Sequence, residues 1–215
     1  MGTLIQVYWR PVYGYLRLRW HREKEDAEDL TQEFFLRALE GNFFEKYDPA
    51  LARFRTFLRT CVDGFTANMD RAAGRMKRGG GSLVLSLDFD LAESELTDVS
   101  LQGEAAMDRY FHDEWVKSVL TLAVSALKDH CEDRGKATAF DVFSRYDMDS
   151  VEGDRPTYQA VADQLHQPVT QVTNLLAYAR KEFRRIVLEM LRELTSSEEE
   201  FQSEAHALLG VRDPR

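Results

Sequence analysis

"DAEDLTQEFFLRALE", residues 26–40, decides how the chain is read. On a helix starting near Asp26, Ala27, Leu30, Phe34 and Ala38 share one face, the apolar stripe of a helix that packs on a core. Asp26, Asp29, Glu33, Arg37 and Glu40 recur on another. Gly41 follows as a natural stop. Acids at a helix start complement the macrodipole, an effect confined to the first turn. Gln32 and Glu33 lie past that turn, so the dipole does not account for them. The pattern predicts one face for a core and a second, polar face shaped for a partner.

The flanking segments also read as helix. Residues 3–22 carry Leu4, Tyr8, Val12, Tyr15 and Leu18 at helical spacing. Pro11 falls inside this pattern and predicts a kink or a new first turn. After Gly41, "NFFEKYDPALARF" (42–54) reads as a loop with Asp48-Pro49 as turn chemistry. A third helix, from about Phe54 to Arg75, points Phe57, Leu58, Cys61, Val62, Phe65 and Met69 inward. "RMKRGGG" (75–81) ends this three-helix unit with a flexible break. "SLVLSLDFDLAESELTDVS" (82–100) begins with strand-like alternation, turns acidic and is read as linker. A long helix over 104–132 includes Trp115, Val119, Leu122 and Leu127, and a short helix and a polar loop follow it. The acidic tail carries a small stripe of Phe201, Ala205 and Leu208; packing across the second domain, binding a partner and disorder all fit it. The expected fold class is all-α, with two small helical domains, 1–81 and 105–194, joined by a flexible acidic linker, 82–104, and followed by a tail, 195–215.

Composition narrows the function. The 215 residues are 44% apolar with a net charge of −9, a globular balance that argues against coating nucleic acid non-specifically. The charge is uneven: residues 1–81 carry 14 basic and 11 acidic side chains, whereas 82–155 carry 7 and 17. No apolar run approaches the ~18 residues of a membrane span. The first residues lack a basic start ahead of an apolar block, so no signal peptide is read and a cytoplasmic location is expected. Cys61 and Cys131 stand far apart with no CxxC partner and are read as reduced and structural. In "FHDEW" (111–115) the neighbouring His, Asp and Glu point in different directions on a helix. Gly79–Gly81 lacks the Lys-Ser/Thr of a phosphate loop. No catalysis, metal or cofactor is expected.

"TYQAVADQLHQPVTQVTNLLAYARKEF" (157–183) fits a helix-turn-helix. Ala162 is small where the first helix lets the second approach, and Val172 packs back from the second. The turn position four after Ala162 takes a left-handed conformation and usually holds Gly; His166 stands there and tolerates it better than most residues. Thr170 is expected to cap the second helix. That helix continues with Val172, Leu176, Ala179, Phe183, Ile186, Met190 and Leu194 inward. Its exposed start offers Gln171, Asn174 and Tyr178 to base edges, and Arg180, Lys181, Arg184 and Arg185 to phosphates.

Together these motifs resemble the extracytoplasmic-function (ECF) sigma factors of bacterial RNA polymerase. "DAEDLTQEFFLRALE" resembles their conserved-region-two helix, "FRTFLRTCVDGFTANMDR" the helix after it, and 157–185 their region four. The resemblance implies a transcription initiation factor that binds core RNA polymerase and directs it to specific promoters. It implies docking on the coiled coil of the largest subunit through Asp29, Gln32 and Glu33, whose carboxylates would meet arginines. It implies that "FEKYDPALARF" holds a base flipped from the minus-ten element, with Phe44, Tyr47, Phe54 and Arg55 as candidates. Asn68, Arg71, Arg75, Lys77 and Arg78 would follow the strand backbone. Thr170, Gln171, Asn174, Tyr178, Lys181 and Arg184 would meet the minus-thirty-five element. The partners so implied are core polymerase and promoter DNA, with an anti-sigma factor as a further one the family allows.

The chain departs from the family where DNA is touched. A basic residue followed by Asn is usual in the third helix; here it is Asp63-Gly64, and Asp70 lies in a stretch usually basic or aromatic. Those departures motivate an alternative, a sigma-derived interaction protein that binds polymerase or an anti-sigma factor without reading DNA.

Overall fold

The computed structural model describes residues 2–41, 43–73, 87–96, 103–148 and 156–210. Every regular element among them is helical. In chain order these are α1 (Gly2–Arg19), α2 (Lys24–Glu40), α3 (Phe54–Ala73), α4 (Phe89–Leu96), α5 (Glu104–Asp133), α6 (Ala137–Phe143), α7 (Tyr158–Leu165), α8 (Val169–Leu194) and α9 (Glu198–Leu209). A short 3-10 turn, Phe43–Lys46, precedes α3, and α6 runs on into a π turn, Ser144–Met148.

α1 is the hub. Pro11 through Leu16 are buried without interruption, which a helix shows when neighbours enclose it on all sides. It packs on α2, α4, α5 and α8. Enclosure also explains Pro11. The sequence predicted a kink or a restart there; the helix does not restart, since α1 continues through Pro11. A proline inside a helix forfeits one backbone bond and costs about 3 kcal/mol. Burying Val7, Tyr8, Val12 and Leu16 on either side offsets that. α5 comes so close to α1 that a Cβ on Gly14 would lie 2.7 Å from Tyr110 Cζ and 2.8 Å from Cε1.

α5 joins the two ends of the chain. It packs along α1 on one side and along α6 and α8 on the other. Met107, Phe111, Trp115, Val119, Ala123, Leu127 and Cys131 are all buried on it. They belong to one apolar core that runs from Val7 to Ala205.

One segment differs from its sequence reading, and the tail takes one of the three readings left open, packing on the second domain. Within the expected linker, 87–96 contains α4, fastened to α1. Phe89 packs its ring on Trp9 and Tyr13, with centroids 5.3 and 5.1 Å apart. Glu93 accepts from Tyr13 Oη at 2.5 Å and from Arg17 Nε at 2.9 Å, and Glu95 takes Arg10 and Lys117. Two of the acids that suggested a solvated linker, Glu93 and Glu95, are counterions of α1, and Asp90 pairs with Lys24 at the start of α2. Asp88 opens α4 by accepting from Leu91 N at 3.1 Å. The acidic tail contains α9, whose Phe201 and Ala205 are buried. Ser197 caps it by accepting from Glu200 N at 3.2 Å, and Gly210 ends it at φ 65°.

Candidate functional site

On α2 the apolar stripe falls as expected: Ala27, Phe34 and Ala38 are buried, joined by Thr31 and Phe35. Phe34 meets Phe35 and Phe65 edge-on. Opposite this face Asp29 is exposed, and Gln32 and Glu33 are partly so. Glu33 accepts from Arg37 Nε at 2.8 Å, and the Arg37 guanidinium lies 5.5 Å over the Phe65 ring. An exposed i,i+4 pair is worth only about 0.3–0.5 kcal/mol, so Glu33 stays available to an incoming arginine.

The loop before α3 gathers the aromatic residues singled out for the minus-ten element. Phe54 is 5% exposed and lies at the centre of a cluster. Phe44, Tyr47 and Tyr8 surround its ring, with centroids 5.6, 5.1 and 5.5 Å away. Leu51, by contrast, is 84% exposed at the loop's tip. Arg55 turns inward, 5.1 Å over the Trp115 ring, and pairs with Glu204 of α9 at 2.8 Å. Tyr47 Oη donates to Glu200 at 3.0 Å. Burial, reinforced by that carboxylate, pushes the Tyr47 phenol above its ordinary range. Further along α3, Asn68 and Arg71 are exposed and bonded to each other at 2.6 Å. Arg75, Lys77 and Arg78 lie outside the described residues.

Asp63 and Asp70 both find basic or hydroxyl partners within the fold. Asp63 accepts from Tyr15 Oη at 2.9 Å and from Trp20 Nε1 at 2.8 Å. Asp70 takes Arg22 Nη2 at 2.5 and 2.6 Å. Both carboxylates tie α3 to α1 and to the turn after it. Gly64 is exposed, and a Cβ there meets nothing within 4 Å. Gly64→Ala is therefore expected to stabilise the chain by about 0.5–1 kcal/mol, seen as a higher urea midpoint with unchanged slope.

His112 stacks on Trp115, with centroids 5.9 Å apart, and its Nδ1 is buried without a hydrogen bond. Burial, then the nearby Arg55, holds its pKa below the ordinary value. The folded state thus keeps the ring neutral while the unfolded chain protonates at about 6.5. Its stability contribution is present above that value and is lost as pH falls through the folded pKa. Melting temperature should drop as pH falls from about 7 to 5, and His112→Gln should flatten that slope.

The helix-turn-helix geometry is as read. Thr157 caps α7 by accepting from Ala160 N at 3.1 Å. His166 takes the left-handed conformation at φ 51° and ψ 42°. Ala162 and Val172 are buried where the two helices meet. One detail is corrected: Thr170 lies inside the first turn of α8, which starts at Val169 behind Pro168, and its side chain caps nothing. Thr170, Gln171, Asn174 and Lys181 are exposed, and Arg184 is partly so. Tyr178 instead turns to α5, where its hydroxyl lies 3.2 Å from His130 Nε2. Lys136 Nζ sits 3.8 Å above its ring. Arg180 is held by Asp147, and Arg185 by Glu182 and Glu189.

Residues 4–75 match the family model of sigma-70 region 2. The match covers α1 to α3, about a third of the chain, and so includes the polar face of α2 and the aromatic loop. No curated protein and no solved structure matches the chain. Among the described residues, no group of His, Cys, Asp and Glu side chains is placed to hold a metal ion, and no helix is long and apolar enough to cross a membrane.

Proposed function

We propose that this chain is a sigma factor of the ECF type. It binds core RNA polymerase in the cytoplasm and directs it to promoters, without catalysis of its own. The observation that carries this reading is the region-2 match over 4–75, with the polar face of α2 inside it. Asp29, Gln32 and Glu33 dock on the coiled coil of the largest subunit. The region-2-like domain, 1–81, engages the minus-ten element through Phe44, Tyr47, Phe54, Arg55, Asn68, Arg71, Arg75, Lys77 and Arg78. The second helical domain, 105–194, engages the minus-thirty-five element through Thr170, Gln171, Asn174, Tyr178, Lys181 and Arg184. An anti-sigma factor would act by covering the same α2 face.

Core binding by the Gln32→Ala/Glu33→Ala variant tests this. Losing charge-assisted contacts in a docked interface costs about 2 kcal/mol or more, so affinity for core should fall at least about tenfold. Both substitutions are at surface positions of α2, so the melting temperature should hold. Equal core affinity in variant and wild type would overturn the docking assignment. A second reading, an interaction protein that binds polymerase without reading DNA, is favoured by one observation: Tyr47 and Arg55 are both engaged by carboxylates of α9. Under it core binds normally, yet no promoter in a genomic fragment library gives a footprint.

A further inference from the structure

α9 lies across the start of α3, where two of its acids meet Tyr47, the Phe54 backbone, Arg53 and Arg55. Glu200 Oε1 accepts the Phe54 backbone N–H at 2.8 Å, and Glu200 Oε2 accepts the Tyr47 hydroxyl at 3.0 Å. Glu204 Oε1 pairs with Arg55 at 2.8 Å and with Arg53 at 3.4 Å. Arg53 also donates to Ser203 Oγ at 3.2 Å. A free helix N–H, a phenol and two guanidiniums are the groups that hold a phosphodiester. Two carboxylates from about 150 residues away now occupy them. Beyond α9 the same basic surface continues as a cavity of about 290 Å³, lined by Arg53, Arg55, Arg59, Arg109 and His112 with Asp108 among them.

We infer that α9 is a removable strap that closes the strand-binding groove of the region-2 unit by standing in for DNA phosphates. The inference rests on the sigma-factor reading, since that reading supplies the strand. Two features make the strap displaceable. Glu204 is 2% exposed and its Oε2 has no hydrogen bond, so the docked state bears the cost of a half-satisfied buried carboxylate. Its apolar anchor is one short stripe: Phe201 and Ala205 are buried, and Leu208 and Leu209 are partly so. The strap leaves and the strand enters, or the reverse. Each weakens the other, as reciprocal linkage requires.

The test uses the full chain and a fluorescein-labelled, mixed-sequence single-stranded oligodeoxynucleotide. Glu200→Gln/Glu204→Gln removes the two charges facing the groove. Glu193→Gln/Glu199→Gln removes the same charge from exposed positions on α8 and α9. A strap closed nine-tenths of the time lowers apparent affinity about tenfold. The first variant should therefore bind the strand about tenfold tighter than wild type, with faster amide exchange in α9 and unchanged exchange in α8. The second should gain far less. In the wild-type chain, which needs no variant to fold, adding the strand should speed exchange in α9. Equal gains from both variants would reduce the effect to net charge and overturn the strap. So would an α9 whose exchange is indifferent to the strand. Neither result touches core-polymerase binding through α2, which is judged separately by the Gln32/Glu33 variant.

Discussion

Trp115→Ala is expected to lower the free energy of unfolding by about 3–5 kcal/mol, a large share of the 5–15 kcal/mol of an ordinary domain. Trp115 is the largest side chain buried below 2% exposure. It stands on α5 between the region-2 helices and the C-terminal ones, with Arg55 stacked over one part of its ring and His112 beside it. Truncation leaves a cavity in the helix that both ends of the chain share, and the flanking helices cannot close on it without separating. It also removes the platform under Arg55, so the Arg55–Glu204 pair loses its alignment and α9 should exchange faster. Urea unfolding followed by far-UV circular dichroism reads the stability change. Amide exchange reads its reach: α1, α5 and α8 should lose protection together. A loss below about 1 kcal/mol would mean that the site collapses freely and that α5 does not unite the core.

Much of the fold was legible in periodicity. Leu58, Val62 and Phe65, or Val172, Leu176 and Ala179, recur every three or four residues, and each is buried. What periodicity missed has a physical cause. α4 is short and rich in acids, so its charge masks its apolar residues; in α9 the stripe of Phe201, Ala205 and Leu208 is legible, but the surface it packs on is not. The better signals were local: Asp88 ahead of Leu91, and the Ser197-x-x-Glu200 box closed by Gly210. At Pro11 the restart that the local rule allows does not occur, because a local penalty is outweighed by enclosure that only the tertiary structure reveals.

The candidate site divides in the same way. The polar face of α2 and the exposed amides of α8 follow from spacing along one helix. Which residues meet across the fold does not. Arg55 and Tyr47 read as open to DNA because nothing near them in sequence opposes them. Their partners, Glu204 and Glu200, sit in a segment read as tail. Tyr178 falls on the same helical line as Gln171, yet the end of α5 reaches it first.

Asp63 turns on that distinction between sequence pattern and tertiary contact, and Asp63→Ala is expected to destabilise the chain by about 2–3 kcal/mol without tightening strand binding. The sigma factors that the sequence resembles usually hold a basic residue at this position, so the sequence alone makes Asp63 look like a repulsive charge beside a phosphate. Its carboxylate instead accepts from the Tyr15 hydroxyl and the Trp20 indole N–H, and Tyr15 is 3% exposed. Burial, with Asp63 adding to it, pushes the Tyr15 phenol above its ordinary range, so the phenol stays a donor. Removing the carboxylate strands two donors in the joint between α1 and α3, and the cost is their lost solvation rather than the lost bonds alone. Asp63→Asn keeps one accepting oxygen and should cost about half as much. Asp63→Arg should be the worst of the three, because it sets a cation against two donors in a partly buried joint. Urea midpoints rank the variants, and strand anisotropy completes the test. If Asp63→Ala tightened strand binding at unchanged stability, the carboxylate would be facing DNA and the α1–α3 joint would not depend on it.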